Sequence, residues 1–180
     1  MSMTSDYADR QEAYNRQGYT KVLTLFAEAG ITGRQIAEIT VELQVKHLPE
    51  MTVEQVIPVI DNMLKKDEVQ DAIIMGFTLD SLAEQKLLPE PLLSKVRRDE
   101  GLFGLDEALV ANIYNLYGQI SVTNFGHVDR IKAGIIGKID KVGKTSEDVV
   151  TTFRDDIVGA LSAGACGYFA HNPRVLLSGK

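Results

Sequence analysis

The sequence contains one cysteine, Cys166, and no tryptophan among its 180 residues. A single cysteine excludes an internal disulfide framework and any zinc site built on several cysteine thiolates. Positive charge is also scarce, since 19 Lys and Arg residues stand against 25 Asp and Glu residues and the net charge is −6. Because nucleic-acid phosphates are held by clustered lysine and arginine, the sequence predicts no nucleic-acid partner.

Long apolar segments are missing as well. The longest strongly apolar run without a charged residue, 157–170, has 14 residues, whereas a membrane-spanning helix needs about 20. The first residues lack the basic and apolar regions of a secretion signal. We therefore expect a cytoplasmic protein with at most peripheral contact with a membrane.

The apolar residues that are present, 44% of the chain counted with Ala, Tyr and Cys, recur mainly at three- and four-residue spacing. This periodicity predicts an all-α fold. Thr32 with Gln35, and Thr52 with Gln55, form capping-box pairs at the start of two helices. The predicted helices cover 19–29, 33–46, 53–65, 67–86, a short stretch after Pro91, 106–120, 121–131 and 146–171, with a loop at 132–145. We expect a partly ordered N-terminal tail at 1–18, a single domain at 19–172 and a C-terminal tail at 173–180.

The last helix has an unusual composition. Seven of the nine residues from Gly159 to Gly167 are Gly, Ala or Ser, so neighbouring helices can approach its backbone closely on several sides. This pattern predicts a helical bundle with the small-residue-rich C-terminal helix at its centre.

An acidic residue lies on the apolar face of this helix. Asp156 is in helical register with Phe153 and Ala160, so we expect it to face the core. A carboxylate removed from water must be paired, protonated or bound to a cation. Asp155 points about 100° away from Asp156, which predicts a different role for each.

Further acids stand in apolar helical patterns, namely Asp106, Glu107 and Asp129. Each has a structural explanation, either a helix cap or a salt bridge to Arg154 or Lys132. Together they resemble the set of oxygen ligands that Mg²⁺ prefers. Four lysines lie in the same part of the chain and predict either a phosphate contact or a solvated loop: Lys132, Lys138, Lys141 and Lys144.

The order and spacing of these residues resemble one family. The matching residues are Arg98-Asp99-Glu100-Gly101, Asp106-Glu107, Asp129-Arg130-Ile131-Lys132, Asp140, and Asp155-Asp156-Ile157-Val158-Gly159 before a small-residue helix that ends at His171. The sequence is similar to the phosphatidylglycerophosphatase A family, in particular to a soluble branch of it. The resemblance implies a helical bundle and a Mg²⁺-dependent phosphatase that removes the terminal phosphate of phosphatidylglycerophosphate.

The resemblance also implies roles for residues. Mg²⁺ is expected at Asp106 or Glu107, Asp129 and Asp156, while Lys132 neutralises a phosphoryl oxygen and Asp155 acts as a base or supports a ligand. Asp99, Asp140 and His127 are additional candidate residues for this site. The chain departs from the family pattern at Ala133 and Gly126, where proline and arginine are usual, and in its N-terminal segment.

Three alternatives remain open. A water-soluble phosphomonoester could replace the phospholipid as substrate. Assembly into a homo-oligomer is compatible with either substrate. The acids could instead belong to a catalytically silent metal-binding or assembly protein. A prenyl-diphosphate enzyme is disfavoured, because Gly159 stands where the third acid of its DDxxD motif belongs.

Overall fold

The computed structural model describes residues 3–101 and 103–173, and in these ranges the regular structure is entirely helical, as predicted. The helices are α1 (Met3–Glu28), α2 (Gly33–Gln44), α3 (Val53–Leu64), α4 (Asp67–Glu84), α5 (Leu92–Arg98), α6 (Leu105–Tyr114), α7 (Gln119–Ile131), α8 (Ile135–Thr145) and α9 (Arg154–His171). A single 3₁₀ turn, Asn115–Tyr117, follows α6. The predicted C-terminal tail lies, from residue 174 onward, outside the described residues.

Both predicted capping boxes are confirmed. The Thr32 hydroxyl accepts a hydrogen bond from the Gln35 backbone amide, and the Gln35 side chain accepts one from the Thr32 amide at 2.8 Å. Thr52 and Gln55 repeat this arrangement at the start of α3. These exchanges satisfy backbone donors that lack partners inside the helix and so define where α2 and α3 begin.

Helix α9 lies at the centre of the bundle, as its composition predicts. It packs against α2, α3, α4, α6, α7 and α8, and every residue from Asp155 to Gly167 is buried. The small residues explain these close contacts: a methyl group built at Gly164 would lie 2.6 Å from Met63 Cε. Cys166 is fully buried in this packing.

Two predicted boundaries near the C-terminal end are wrong. Residues 132–145 are mostly helix α8 rather than a loop, because Ile136 and Ile139 bury one face of this segment despite its glycines. The final helix begins at Arg154 instead of residue 146. In the segment before it, the Thr151 and Thr152 hydroxyls donate hydrogen bonds to the carbonyls of Ile139 and Val96, and these long-range contacts hold the chain outside a helix.

The first helix is longer than the predicted 19–29. It begins at Met3 and so includes most of the segment assigned to a tail. Its first half is too polar to show the apolar periodicity that the prediction relied on. Asn15 nevertheless donates hydrogen bonds to the Lys65 carbonyl and to Asp67, at 2.8 and 2.5 Å, which anchor this half of α1 beside the start of α4.

Within the described ranges, no helix combines the length and apolar character required to cross a bilayer. The apolar run 157–170 belongs to α9, where it is used for packing inside the bundle.

Candidate functional site

An acidic cleft of about 200 Å³ opens at the start of α9. Its walls come from the α5–α6 connection, the first turn of α6, the end of α7, the end of α8, and the first turn of α9 with the segment before it. Seven of its lining side chains are carboxylates and two are ammonium groups. They are Asp99, Glu100, Asp106, Glu107, Asp129, Asp155 and Asp156, with Lys132 and Lys144. The cleft therefore brings together the six residues for which the sequence predicts a catalytic or metal-binding role, namely Asp106, Glu107, Asp129, Lys132, Asp155 and Asp156.

Local backbone geometry places these side chains. Asp99 ends α5 and Lys132 ends α7, both in the left-handed conformation with φ of 48° and 47°. Asp106 lies in the first turn of α6, where its carboxylate accepts a hydrogen bond from the Glu107 backbone amide at 2.9 Å. Asp155 and Asp156 occupy the first turn of α9, the end at which the helix dipole favours negative charge.

Lys132 bridges two helices in the cleft. Its ammonium nitrogen lies 2.6 Å from Asp129 Oδ1 and 2.8 Å from Asp155 Oδ2. Burial acts to lower the pKa of Lys132, but the attraction of Asp155 and Asp129 outweighs it and raises the pKa above its ordinary value. Lys132 is therefore a fixed positive charge within the acidic walls.

Asp155 and Asp156 have different surroundings, although both line the cleft. Burial raises the pKa of Asp155 to about 6, and the Lys132 ammonium limits that rise. Asp156 is 5% exposed, and no hydrogen-bond donor among the described residues contacts its carboxylate. Burial, followed by the repulsion of Asp155 and Asp129, raises the pKa of Asp156 to about 9. Asp156 thus lacks the direct ion pair that Asp155 makes with Lys132, although the attraction of Lys132 limits the rise of the pKa of Asp156 as well.

Asp106 and Glu107 complete the wall opposite α9. Asp106 is buried at 9% exposure, and its burial raises the pKa of its carboxyl group. Glu107 is exposed at the mouth of the same cleft. Either one can offer carboxylate oxygens to an ion between α6 and α9.

The residues of the cleft fit a hard divalent cation by their chemistry. All of its acidic side chains offer carboxylate oxygens as ligands, and no cation of the described residues is in direct contact with Asp156. In the part of the chain that the structure describes, no three acidic, histidine or cysteine side chains lie close enough together to hold a metal ion as one group. Mg²⁺ does not require three protein ligands, because it keeps several waters and takes one or two carboxylates together with substrate phosphate oxygens.

Of the three additional candidate residues, only Asp99 lines the cleft. Asp99 lines the cleft, and its Oδ2 lies 3.7 Å from the Lys144 nitrogen. Asp140 is bound to Lys144 at 2.5 Å and lines a neighbouring cavity instead. His127 is exposed on α7 and is not a lining residue of the cleft.

The four lysines that suggested a phosphate contact are also separated. Lys132 and Lys144 reach the cleft. Lys138 lies beside Glu42 and Gly134 in a different depression, and Lys141 is exposed.

Sequence reasoning missed the residues that fix the start of α9. Asp80 accepts a hydrogen bond from the Phe153 amide at 3.2 Å, and Glu84 accepts one from the Val150 amide at 3.0 Å. Arg154 lies 3.3 Å from Asp80 and 3.0 Å from Glu84. The signal was available, because Asp80 is in helical register with Phe77 and Ile73 on the buried face of α4.

The chain matches known proteins over most of its length. The model of the phosphatidylglycerophosphatase A family matches residues 20–171. The protein YutG of Bacillus subtilis strain 168 is 43% identical over 147 residues, which are 82% of this chain and 87% of YutG. The crystal structure of YpjQ from Bacillus subtilis has a TM-score of 0.82 at 39% identity and covers 89% of this chain and 97% of that chain. The crystal structure of the low temperature requirement C protein from Listeria monocytogenes has a TM-score of 0.82 at 37% identity and covers 87% of this chain and 97% of that chain.

Proposed function

The chain belongs to the phosphatidylglycerophosphatase A family, and from that premise we propose that it is a Mg²⁺-dependent phosphatase acting on a phosphomonoester. The substrate that the family name suggests is phosphatidylglycerophosphate, which would be converted to phosphatidylglycerol. The reaction is proposed to occur in the acidic cleft at the start of α9.

The observation that carries this proposal is the environment of Asp156. Its carboxylate is buried beside Asp155 and Asp129 and has no hydrogen-bond donor among the described residues. A carboxyl group in such surroundings keeps its proton at neutral pH unless a cation compensates the charge of the carboxylate. A phosphomonoester dianion would itself be repelled by the acidic walls, so a cation between substrate and protein serves both groups.

Asp156, Asp129 and either Asp106 or Glu107 are the residues proposed to hold Mg²⁺, with one or two of them bound to the ion directly and the others through its waters. When bound, the ion supplies Lewis-acid polarisation of the phosphoryl group and brings the substrate dianion into a negatively charged site. The carboxylates proposed for this role lie on three different helices, α6, α7 and α9, so the packing of the bundle determines their relative positions.

Lys132 and Asp155 are proposed to act on the substrate directly. The Lys132 ammonium, oriented by Asp129 and Asp155, donates a hydrogen bond to a non-bridging phosphoryl oxygen and stabilises the negative charge of the transition state. Asp155 takes a proton of the attacking water as the water oxygen bonds to phosphorus and the bond from phosphorus to the alcohol oxygen breaks, and the protonated Asp155 then returns this proton to the departing alcohol oxygen. Its pKa of about 6 lies near neutral pH, as suits a general base.

A water-soluble phosphomonoester is the second candidate substrate. The observation that favours it is a second, polar cavity of about 510 Å³ next to the cleft, with only two apolar side chains in its walls, Leu93 and Val150. Such walls suit the hydrophilic part of a molecule rather than an acyl chain.

The test is phosphate release from phosphatidylglycerophosphate in detergent micelles and from a panel of soluble phosphomonoesters, each with Mg²⁺ and with EDTA. We expect release only with Mg²⁺. Thermal melting under the same conditions supplies the second readout. A protein that Mg²⁺ stabilises but that hydrolyses no substrate would support the silent metal-binding alternative instead.

A further inference from the structure

The cavity of about 510 Å³ lies directly beside the acidic cleft. It is formed by the segment between α4 and α5, α5 with the following Asp99, the end of α8 and the segment before α9. Asp99, Lys144 and Thr152 line both spaces. The two spaces are therefore adjacent, and these three residues belong to the walls of both.

The two spaces differ in charge. Seven acidic side chains and two basic ones line the cleft, whereas four acidic and four basic side chains line the cavity. The cavity has four hydroxyl side chains, Ser94, Ser146, Thr151 and Thr152, of which Thr152 also lines the cleft, and only two apolar side chains. Its walls thus offer many hydrogen-bond donors and acceptors without a strong net charge.

Several of these polar groups have fixed positions. Arg97 donates hydrogen bonds to the backbone carbonyls of Ala83, at 3.1 Å, and Glu147. Because these partners are uncharged carbonyl groups, they orient the guanidinium without neutralising its positive charge. Ser94 donates to Glu90 at 2.9 Å. A cavity with preoriented donors and acceptors binds a polar ligand at a lower entropic cost than a flexible surface does.

We propose that this cavity is the leaving-group subsite of the phosphatase, and that the leaving group is a small, hydroxyl-rich alcohol. The inference rests on the function proposed above. The phosphoryl group lies in the acidic cleft, and the alcohol passes Lys144 and Thr152 into the cavity, where Ser94, Arg97 and Glu147 contact its hydroxyl groups. Acyl chains remain outside, so a soluble polyol phosphate and the glycerol headgroup of a lipid fit the same subsite.

The test blocks the cavity without touching the cleft. Ser94→Phe places a ring in the cavity, and Glu147→Ala removes one wall carboxylate while keeping the backbone carbonyl that binds Arg97. Thr24→Phe, on the exposed surface of α1, is the matched control for adding a ring. Hydrolysis with Mg²⁺ is measured for glycerol 3-phosphate, whose alcohol would fill the subsite, and for methyl phosphate, whose alcohol would not.

We expect Ser94→Phe to lower kcat/KM for glycerol 3-phosphate at least about tenfold more than for methyl phosphate. Glu147→Ala should change the same ratio in the same direction by a smaller factor, and Thr24→Phe should not change it. Equal losses for the two substrates, or no loss for either, would overturn the subsite. Phosphatidylglycerophosphate in micelles, tested in parallel, shows whether a lipid headgroup or only a soluble alcohol is admitted.

Binding separates this inference from the proposed function. Calorimetry with Mg²⁺ compares the non-hydrolysable 3,4-dihydroxybutylphosphonate with methylphosphonate on the same variants. If the former binds more tightly, and Ser94→Phe removes that advantage, the subsite is supported even when no substrate is hydrolysed and the phosphatase proposal fails. If phosphate is released but neither phosphonate distinguishes the variants, the phosphatase stands and the subsite is wrong.

Discussion

The carboxylate of Asp80 accepts a hydrogen bond from the backbone amide of Phe153, although the two residues are 73 positions apart in the sequence. Phe153 immediately precedes α9, whose first turn carries Asp155 and Asp156. Asp80 is fully buried in the middle of the bundle. The acidic cleft is therefore positioned by an acid on α4 that does not line it.

Asp80→Ala should destabilise the protein. The change removes the acceptor of the Phe153 amide and one of the two carboxylates that neutralise Arg154, which is 17% exposed in its side chain. Breaking a buried ion pair from one side costs about 3 kcal/mol or more in unfolding free energy. Chemical denaturation measures this loss, and Asp71→Ala on the exposed face of α4 is the control.

Asp80→Asn distinguishes the hydrogen bond from the charge. Its amide oxygen can still accept from Phe153, so it should be more stable than Asp80→Ala. If Asp80→Ala is as stable as Asp71→Ala, Asp80 does not hold α9.

Gly164→Leu should disrupt the centre of the bundle. A side chain at this position meets Met63 Cε at 2.6 Å and the Tyr117 ring at 3.0 Å, and overpacking of this kind costs roughly 1–3 kcal/mol. The matched control is Gly126→Leu on α7, where an added Cβ has no neighbour within 4 Å. Melting temperatures of the two variants give the comparison, and an unchanged value for Gly164→Leu would contradict the central position of α9.

Asp156 should make the metal-free protein less stable as the pH rises. Its pKa is about 9 in the folded protein and near 3.8 when the chain is unfolded, so the folded state holds a proton that the unfolded state has lost between these values. Unfolding free energy therefore falls with rising pH across this window. Asn cannot ionise, so Asp156→Asn should lack this part of the fall.

The measurement is the melting temperature of both proteins in EDTA from about pH 5 to about pH 8. The advantage of Asp156→Asn over the wild type should increase with pH, because Asp80, Asp106 and Asp155 are present in both proteins and most of their titration cancels. A constant difference, or one that shrinks with pH, would mean that the buried carboxylate is already compensated.

The sequence predicts the centre of the fold better than its connections. Small residues from Gly159 to Gly167 indicate a central helix, and the two capping boxes give the starts of α2 and α3, because each of these signals is local. Helix α8 was predicted as a loop because its glycines lower helix propensity, and only packing by Ile136 and Ile139 reveals it. The start of α9 depends on Asp80 and Glu84, which are distant in sequence, so no local pattern specifies it.

In the candidate site, too, local sequence patterns predict some features and tertiary packing determines the others. Register on α9 predicts that Asp156 is buried, and the structure confirms this at 5% exposure. The contact of Lys132 with Asp155 joins α7 to α9 and becomes visible only when the helices are packed. The polar cavity beside the cleft is formed by two stretches that are distant in sequence, 86–99 and 140–152, so its existence depends on tertiary structure.

The central claim is that the acidic cleft hydrolyses a phosphomonoester with a cation held at Asp156. Its most direct test is the Mg²⁺-dependent rate of phosphate release by Asp156→Asn, with Asp148→Asn as the control, since Asp148 is an exposed acid that lines neither the cleft nor the cavity. Asn keeps the shape of the side chain but removes its charge, so kcat/KM should fall at least about a hundredfold, equivalent to about 2.7 kcal/mol of transition-state stabilisation. Asp148→Asn should keep the wild-type rate. A folded Asp156→Asn protein with the same rate as Asp148→Asn would contradict the claim.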